Sequence, residues 1–174
     1  MAKTLMVCGN TTSNGVTINE VFGSTVTSFF VMANAPANRE TTEAYTQITH
    51  RTDGISSNLY FRVVGNLISG NATLRTRKNS ANGNQVIVVA STQSGEFEDT
   101  SNIDTITGSA EDEWNYSLVL DAGAGPGDTD PFQFGLISSV FAATTNTVVR
   151  YAAVNFPDLS DGESAFHCIS DLAT

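Results

Sequence analysis

The stretch that most restricts the fold is residues 73 to 118, TLRTRKNSANGNQVIVVASTQSGEFEDTSNIDTITGSAEDEWNYSL. Apolar residues come here in short runs, each closed by Asn, Ser, Gly or a charge, and such punctuation leaves room for strands but not for helical turns. A basic strand carrying Arg75, Arg77 and Lys78 runs into an Asn79-Ser80 turn. VIVVA follows, then Gly95 with the acidic Glu96, Glu98 and Asp99, then an aromatic strand from Trp114 to Leu118. On a strand Arg75 and Arg77 share a face while Lys78 turns away.

The same pattern extends along the chain. TLMVC ends at GNTTSNG, the strand from Val26 to Met32 stops before Pro36, and the polar stretch around Tyr45 to His50 reads as an exposed strand ending at an Asp53-Gly54 turn. LYFRVVGNLISG supplies a strand with a bulge or tight turn at Gly65-Asn66, and FQFGLISSVFA, TVVRYAAVNF and SAFHCIS supply three more. The expectation is an all-β protein, an antiparallel β-sandwich resembling a jelly roll, with nine to ten short strands in a single domain over 1–174. Its composition agrees: Thr, Ser, Asn and Gly fill the places that charged residues, only 15% of the chain, leave open.

Charge narrows the partners. A net charge of −10 with eight Lys and Arg in total argues against nucleic acid, which needs clustered cations. No run approaches a membrane span, and the N-terminus is too polar beyond Cys8 for a signal peptide, so assembly in a cytoplasm and no membrane partner are expected. From Ser91 to Val149 there is no Lys or Arg, yet Asp and Glu recur from Glu96 to Asp130. This block is read as solvated loops or as a negative surface.

No catalytic motif is present. His167 and Cys168 are neighbours on a strand and point to opposite faces, and Glu111, Asp112 and Glu113 form a consecutive run rather than carboxyls facing across a cleft. Cys8 and Cys168 are expected as free thiols, and zinc is not expected with only His50 and His167 beside them. No cofactor is expected; the nearest to a cation site is Asp121, Asp128 and Asp130 in a Gly-rich loop, where Ca²⁺ is conceivable. Exposed aromatics for a carbohydrate would be Trp114, Tyr60, Tyr116 or Tyr151, although Trp114 and Tyr116 alternate as core residues do. The remaining candidates are contact residues between copies or with a partner: Arg75, Arg77 and Lys78 on the basic side, Glu96, Glu98 and Asp99 on the acidic side.

Thr73, Leu74, Arg77, Lys78 and Asn79, followed by Gly95, Phe97, Asp99, Thr100 and Asn102 and then an aromatic strand, resemble a pattern in virion proteins of tailed bacteriophages. Ser80 stands where that pattern often has a turn glycine. The resemblance covers about a quarter of the chain. It implies a jelly-roll-like domain, often trimeric, similar to complement and tumour-necrosis-factor heads. The role it implies is a capsid decoration or cement protein on the head surface, bound to the major capsid protein and to its own copies, or else a tail-fibre or spike head.

Overall fold

The computed structural model describes residues 3–9, 16–18, 26–30, 41–121 and 132–144. Ten strands lie among them: β1 (Lys3–Gly9), β2 (Val16–Ile18), β3 (Val26–Phe30), β4 (Ile48–Thr49), β5 (Gly54–Asn66), β6 (Ala72–Lys78), β7 (Ala81–Val89), β8 (Gly95–Ile106), β9 (Glu113–Leu120) and β10 (Phe132–Ala143). They form two antiparallel sheets. The first runs β1-β10-β5-β8, with β2 also on β10; the second runs β3-β9-β6-β7, with β4 also on β9. If short β2 and β4 are set aside, the eight remaining strands interleave between the sheets in the double Greek-key order of a jelly roll. The strands expected at TVVRYAAVNF and SAFHCIS lie outside the described residues.

Alternation decides which side chains enter the core. On β6, Ala72, Leu74 and Thr76 point inward; on β9, Trp114, Tyr116, Leu118 and Leu120 do so. The first sheet answers with Leu59, Phe61 and Val63 from β5 and Phe132, Phe134, Ile137 and Phe141 from β10. Phe30 meets Phe134 edge-on across the sandwich, centroids 5.2 Å apart and planes at 83°. This geometry adds about 1 kcal/mol beyond burial. The Tyr116 hydroxyl is 2.8 Å from the Ser139 hydroxyl in the opposite sheet, so the one polar tip of that ring is satisfied inside the core.

Three local expectations change. Residues 43–45 form a 3₁₀ turn, not a strand, because the Thr46 amide and hydroxyl both fold back onto the Glu43 carbonyl at 2.9 Å. Asp53-Gly54 is not a hairpin turn: the Asp53 carboxylate accepts the Gly108 amide at 2.7 Å, and Gly54 opens β5 with the Phe141 ring where a Cβ would stand. Strand β5 is therefore 13 residues long and begins well before Leu59, kinked where Asn58 takes a positive φ of 53°. The bulge near Gly65 is present: pairing with β10 passes from Gly65 to Val63 and skips Val64. At the β6–β7 hairpin both Asn79 and Ser80 have positive φ, 50° and 61°, a type I′ turn that explains why glycine suits the second position.

Candidate functional site

The edge strands β7 and β8 belong to different sheets and meet along one side of the sandwich. Inward-pointing residues of β8 close that side. Asp104, paired with Ser56 and in phase with core residue Ile106, accepts the Thr76 hydroxyl at 2.7 Å, the Asn84 amide at 2.6 Å and the Gln85 side chain at 3.1 Å. Gln85 in turn donates to Ser56 and accepts the Leu59 amide, which the Asn58 kink leaves for it. Asp99 accepts the Val86 amide at 2.9 Å with one oxygen, and with the other the amides of Ser101 and Asn102. These hydrogen bonds hold its carboxyl below the usual carboxylate range even though burial pushes the other way.

The stitching also runs from β6 and β7 to β8. Asn84 donates to the Ile103 carbonyl and Lys78 Nζ to the Thr105 carbonyl. Strand edges that would otherwise offer backbone groups to a passing strand are thus satisfied by side chains. Gly83 has no room for a Cβ here, since it would fall against Thr76 Oγ1 and the Asp104 carboxylate.

The six contact candidates separate in this frame. Lys78 is bound within the chain, 2.8 Å from Asp112, whose carboxyl is held low by Lys78, the Thr107 amide and Asn79 against the opposing effect of burial. Arg77 is bound too: its guanidinium makes a two-point ion pair with Glu43 at 2.8 and 2.9 Å, also donates to Asn82 and the Ser80 carbonyl, and lies over the Phe29 ring. Asp99 belongs to the seam. Arg75, on the same outer face as Arg77 and half-buried between Val86 and Ser117, makes no hydrogen bond or ion pair with any described residue. Glu96 and Glu98 are exposed on the outer face of the first sheet, opposite Arg62 and Tyr60, and Glu98 accepts from Asn58 at 3.0 Å. Burial and these two carboxylates raise the Tyr60 phenol, with Arg62 opposing. Strand β6 lies inside its sheet, so the basic residues mark a face and not an edge, whereas acidic β8 is an edge.

Other candidates resolve more simply. Trp114 and Tyr116 are fully buried and cannot stack on a sugar; Tyr60 is half-exposed, and Tyr151 lies outside the described residues. His50 is buried against Phe141, ring centroids 5.3 Å apart, and burial lowers its pKa to about 4. Of the run Glu111 to Glu113, Asp112 is buried and its neighbours are exposed. Asp121 is described but Asp128 and Asp130 are not, nor are His167 and Cys168; no cluster of three ligating side chains occurs among the described residues. No helix among them is long and apolar enough to cross a membrane. Sequence reasoning missed Asp104 and Gln85. The usable signal was phase: Asp104 shares a face with Ile106, and Gln85 with Ile87 and Val89.

No protein-family model and no curated protein matches the chain. Among solved structures it is similar to the CBM36-1 domain of a multidomain xylanase from the hindgut metagenome of Trinervitermes trinervoides. That likeness has a TM-score of 0.38 and 9% identity, over 79% of this chain and 96% of that one. It is also similar to a chain of the infectious bursal disease virus Gt strain structure, with a TM-score of 0.37 and 13% identity, over 83% of this chain and 33% of that one. These likenesses concern the fold and name no ligand or partner for this chain.

Proposed function

We propose that this chain is a non-enzymatic structural protein of a virion, a capsid decoration protein that binds the outer surface of a phage head and stabilises it. The observation that carries the reading is the division of charge: inward and seam groups are engaged within the sandwich, and Arg75, without a hydrogen bond or ion pair to any described residue, is left half-buried beside Val86, Ser117 and Thr73 on the outer face of the second sheet. Such a face suits adhesion to protein, not turnover of a small molecule. The resemblance around Arg77, Lys78 and Asn79 supports the virion context, and the jelly-roll order is one that capsid and lectin domains share. Fold alone does not choose between those two.

A cement protein acts by mass action, since binding the assembled shell resists separation of its subunits. Purified protein added to shells lacking it should bind them and raise the temperature at which they release their contents. Absence of binding, with equal heat resistance of bare and wild-type shells, overturns the role. A tail-fibre or spike head is the alternative, and it would place the chain in the tail fraction of fractionated virions. Carbohydrate recognition would rest on Tyr60, and glycan binding lost in Tyr60→Ala would favour it.

A further inference from the structure

At one end of the sandwich the chain runs between two fixed points. On one side Thr46 is buried and its hydroxyl accepts the Asn115 side chain at 2.8 Å. On the other the Asp53 carbonyl accepts the Thr144 amide at 3.0 Å, and its carboxylate the Gly108 amide at 2.7 Å. The residues between, Gln47 to Thr52, pair with β9 at only two positions, Ile48 with Trp114 and Thr49 with Glu113. To these are added the His50 amide on the Asp112 carbonyl at 2.8 Å and an exposed hydrogen bond from Gln47 to Ser80. Arg51 and Thr52 pass so close over Gly108 that a Cβ there would collide with the Thr52 amide. The stretch is a strap across the β8–β9 connection, with a short ladder of its own.

What seats the strap is His50, the one side chain buried between Thr46 and Gly54; Ile48 is only half-buried against the core. The imidazole rests on the Phe141 ring of β10, and Lys3 of β1 stands in register with Ala142, the next residue along. From the β8–β9 connection Asp112 faces it, itself 2.8 Å from Lys78 of β6; exposed Glu113 of β9 stands opposite Thr49, and exposed Arg51 and Asp53 flank the ring on its own segment. Burial outweighs the attraction of Asp112, so the seated ring is neutral, whereas a released ring takes up a proton near pH 6.5. The hold of this peg is therefore complete above pH 6.5 and weakens as pH falls toward 4. Asp99 and Asp112, held below the usual carboxylate range, keep their charge and their hydrogen bonds over that interval.

We propose that residues 47–52 form an acid-released strap pegged by His50, which lifts from the end of the sandwich while both sheets stay paired and so uncovers Phe141 and Trp114. The strap goes beyond the decoration reading and stands without it.

Native-state hydrogen exchange at single-residue resolution, corrected for the intrinsic rate at pH 7.5 and 4.5, measures the opening. The reporter is the His50 amide, and Leu118 in the middle of β9 reports unfolding of the sheets. In the wild type the strap should open at least 100-fold more often than Leu118 is exposed, at both pH values. Its opening should become about 70-fold more frequent at pH 4.5, the ratio that follows from 6.5 for the released and about 4 for the seated ring. His50→Leu should remove that rise, and His50→Gln, also without a titrating group, serves where leucine disturbs the seat. Three results overturn the inference: equal opening of His50 and Leu118, which makes the strap part of global unfolding; a wild-type strap whose opening ignores pH; or a rise that survives in a folded non-titrating variant. Should neither variant fold, the wild-type comparison of His50 with Leu118 at the two pH values decides by itself.

Discussion

The β7–β8 seam and the outer face of the second sheet are one strand apart and use charge in opposite ways. At the seam, Asp99 and Asp104 point inward and are surrounded by neutral donors, so the negative charge is held by hydrogen bonds in a low-dielectric setting. On the face, Arg75 points outward and makes no hydrogen bond or ion pair with any described residue. One region converts charge into closure of the fold; the other leaves it available. The contrast can be broken at either end.

The largest effect is expected from Asp104→Ala. It leaves the Thr76 hydroxyl, the Asn84 amide and the Gln85 side chain without their shared acceptor inside the protein. Loss of a buried, charge-assisted acceptor with several donors should cost about 4 kcal/mol. Urea unfolding would show it as a large drop in midpoint with little change in slope. A change below about 1 kcal/mol would mean that the seam closes without its carboxylates.

Acid tests the buried titratable groups, at the seam and away from it. His50, whose backbone amide donates to the Asp112 carbonyl, has its pKa lowered from 6.5 to about 4, by burial first and with Asp112 opposing. The imidazole is neutral in the fold, so between those values the unfolded chain binds the extra proton. Stability from this group is complete above pH 6.5 and is lost as pH falls toward 4, by about 3 kcal/mol. Asp99 and Asp112 have lowered values, so their contribution is present above the unfolded carboxylate range and disappears as pH falls through their folded values. Unfolding midpoints against pH should therefore fall in two stages. His50→Leu should erase the first stage and keep the second; a wild-type curve flat from pH 7 to 5 would contradict the buried, neutral histidine.

How much of this was legible varied with the physical signal. The β-sandwich followed from alternation, which is strict on β6 and β9, where Leu74, Thr76, Trp114 and Tyr116 all point inward as their phase requires. That Arg75 and Arg77 share a face followed from the same period. The seam was hidden because an Asp in an acidic block reads as a surface residue, and only the partners that fold beside it, 19 to 28 residues away, make burial tolerable. The start of β5 was hidden likewise: Ser56, Ser57 and Asn58 look like a turn, and it is the bulge at Asn58 and the side-chain amide of Gln85, accepting from Leu59 and donating to Ser56, that keep them in the sheet. Glu43 as the partner of Arg77 lay 34 residues away, beyond any local pattern.

A smaller effect separates the two arginines themselves. Arg77→Ala removes the ion pair with Glu43, the donation to Asn82 and the contact with Phe29, at side chains only 16% and 15% exposed. A partly buried two-point pair of this kind should be worth about 1.5 kcal/mol. Glu43→Gln should cost less than half as much, since the fork-shaped contact loses charge but keeps an acceptor.

The smallest effect on stability, and the one that sharpens the comparison most, belongs to Arg75→Ala. With no hydrogen-bond or ion-pair partner among the described residues, its removal should change the unfolding free energy of the isolated chain by less than about 0.5 kcal/mol. If the side chain serves an assembly, its effect lies in concentration and not in the fold. Association stabilises the native state by mass action, so the wild-type midpoint should rise with protein concentration while the Arg75→Ala midpoint stays fixed, and the two should converge on dilution. Convergence at low concentration with divergence at high concentration assigns Arg75 to the outside of the molecule. A difference that persists at every dilution would place it with Arg77, as one more residue holding its own sheet together.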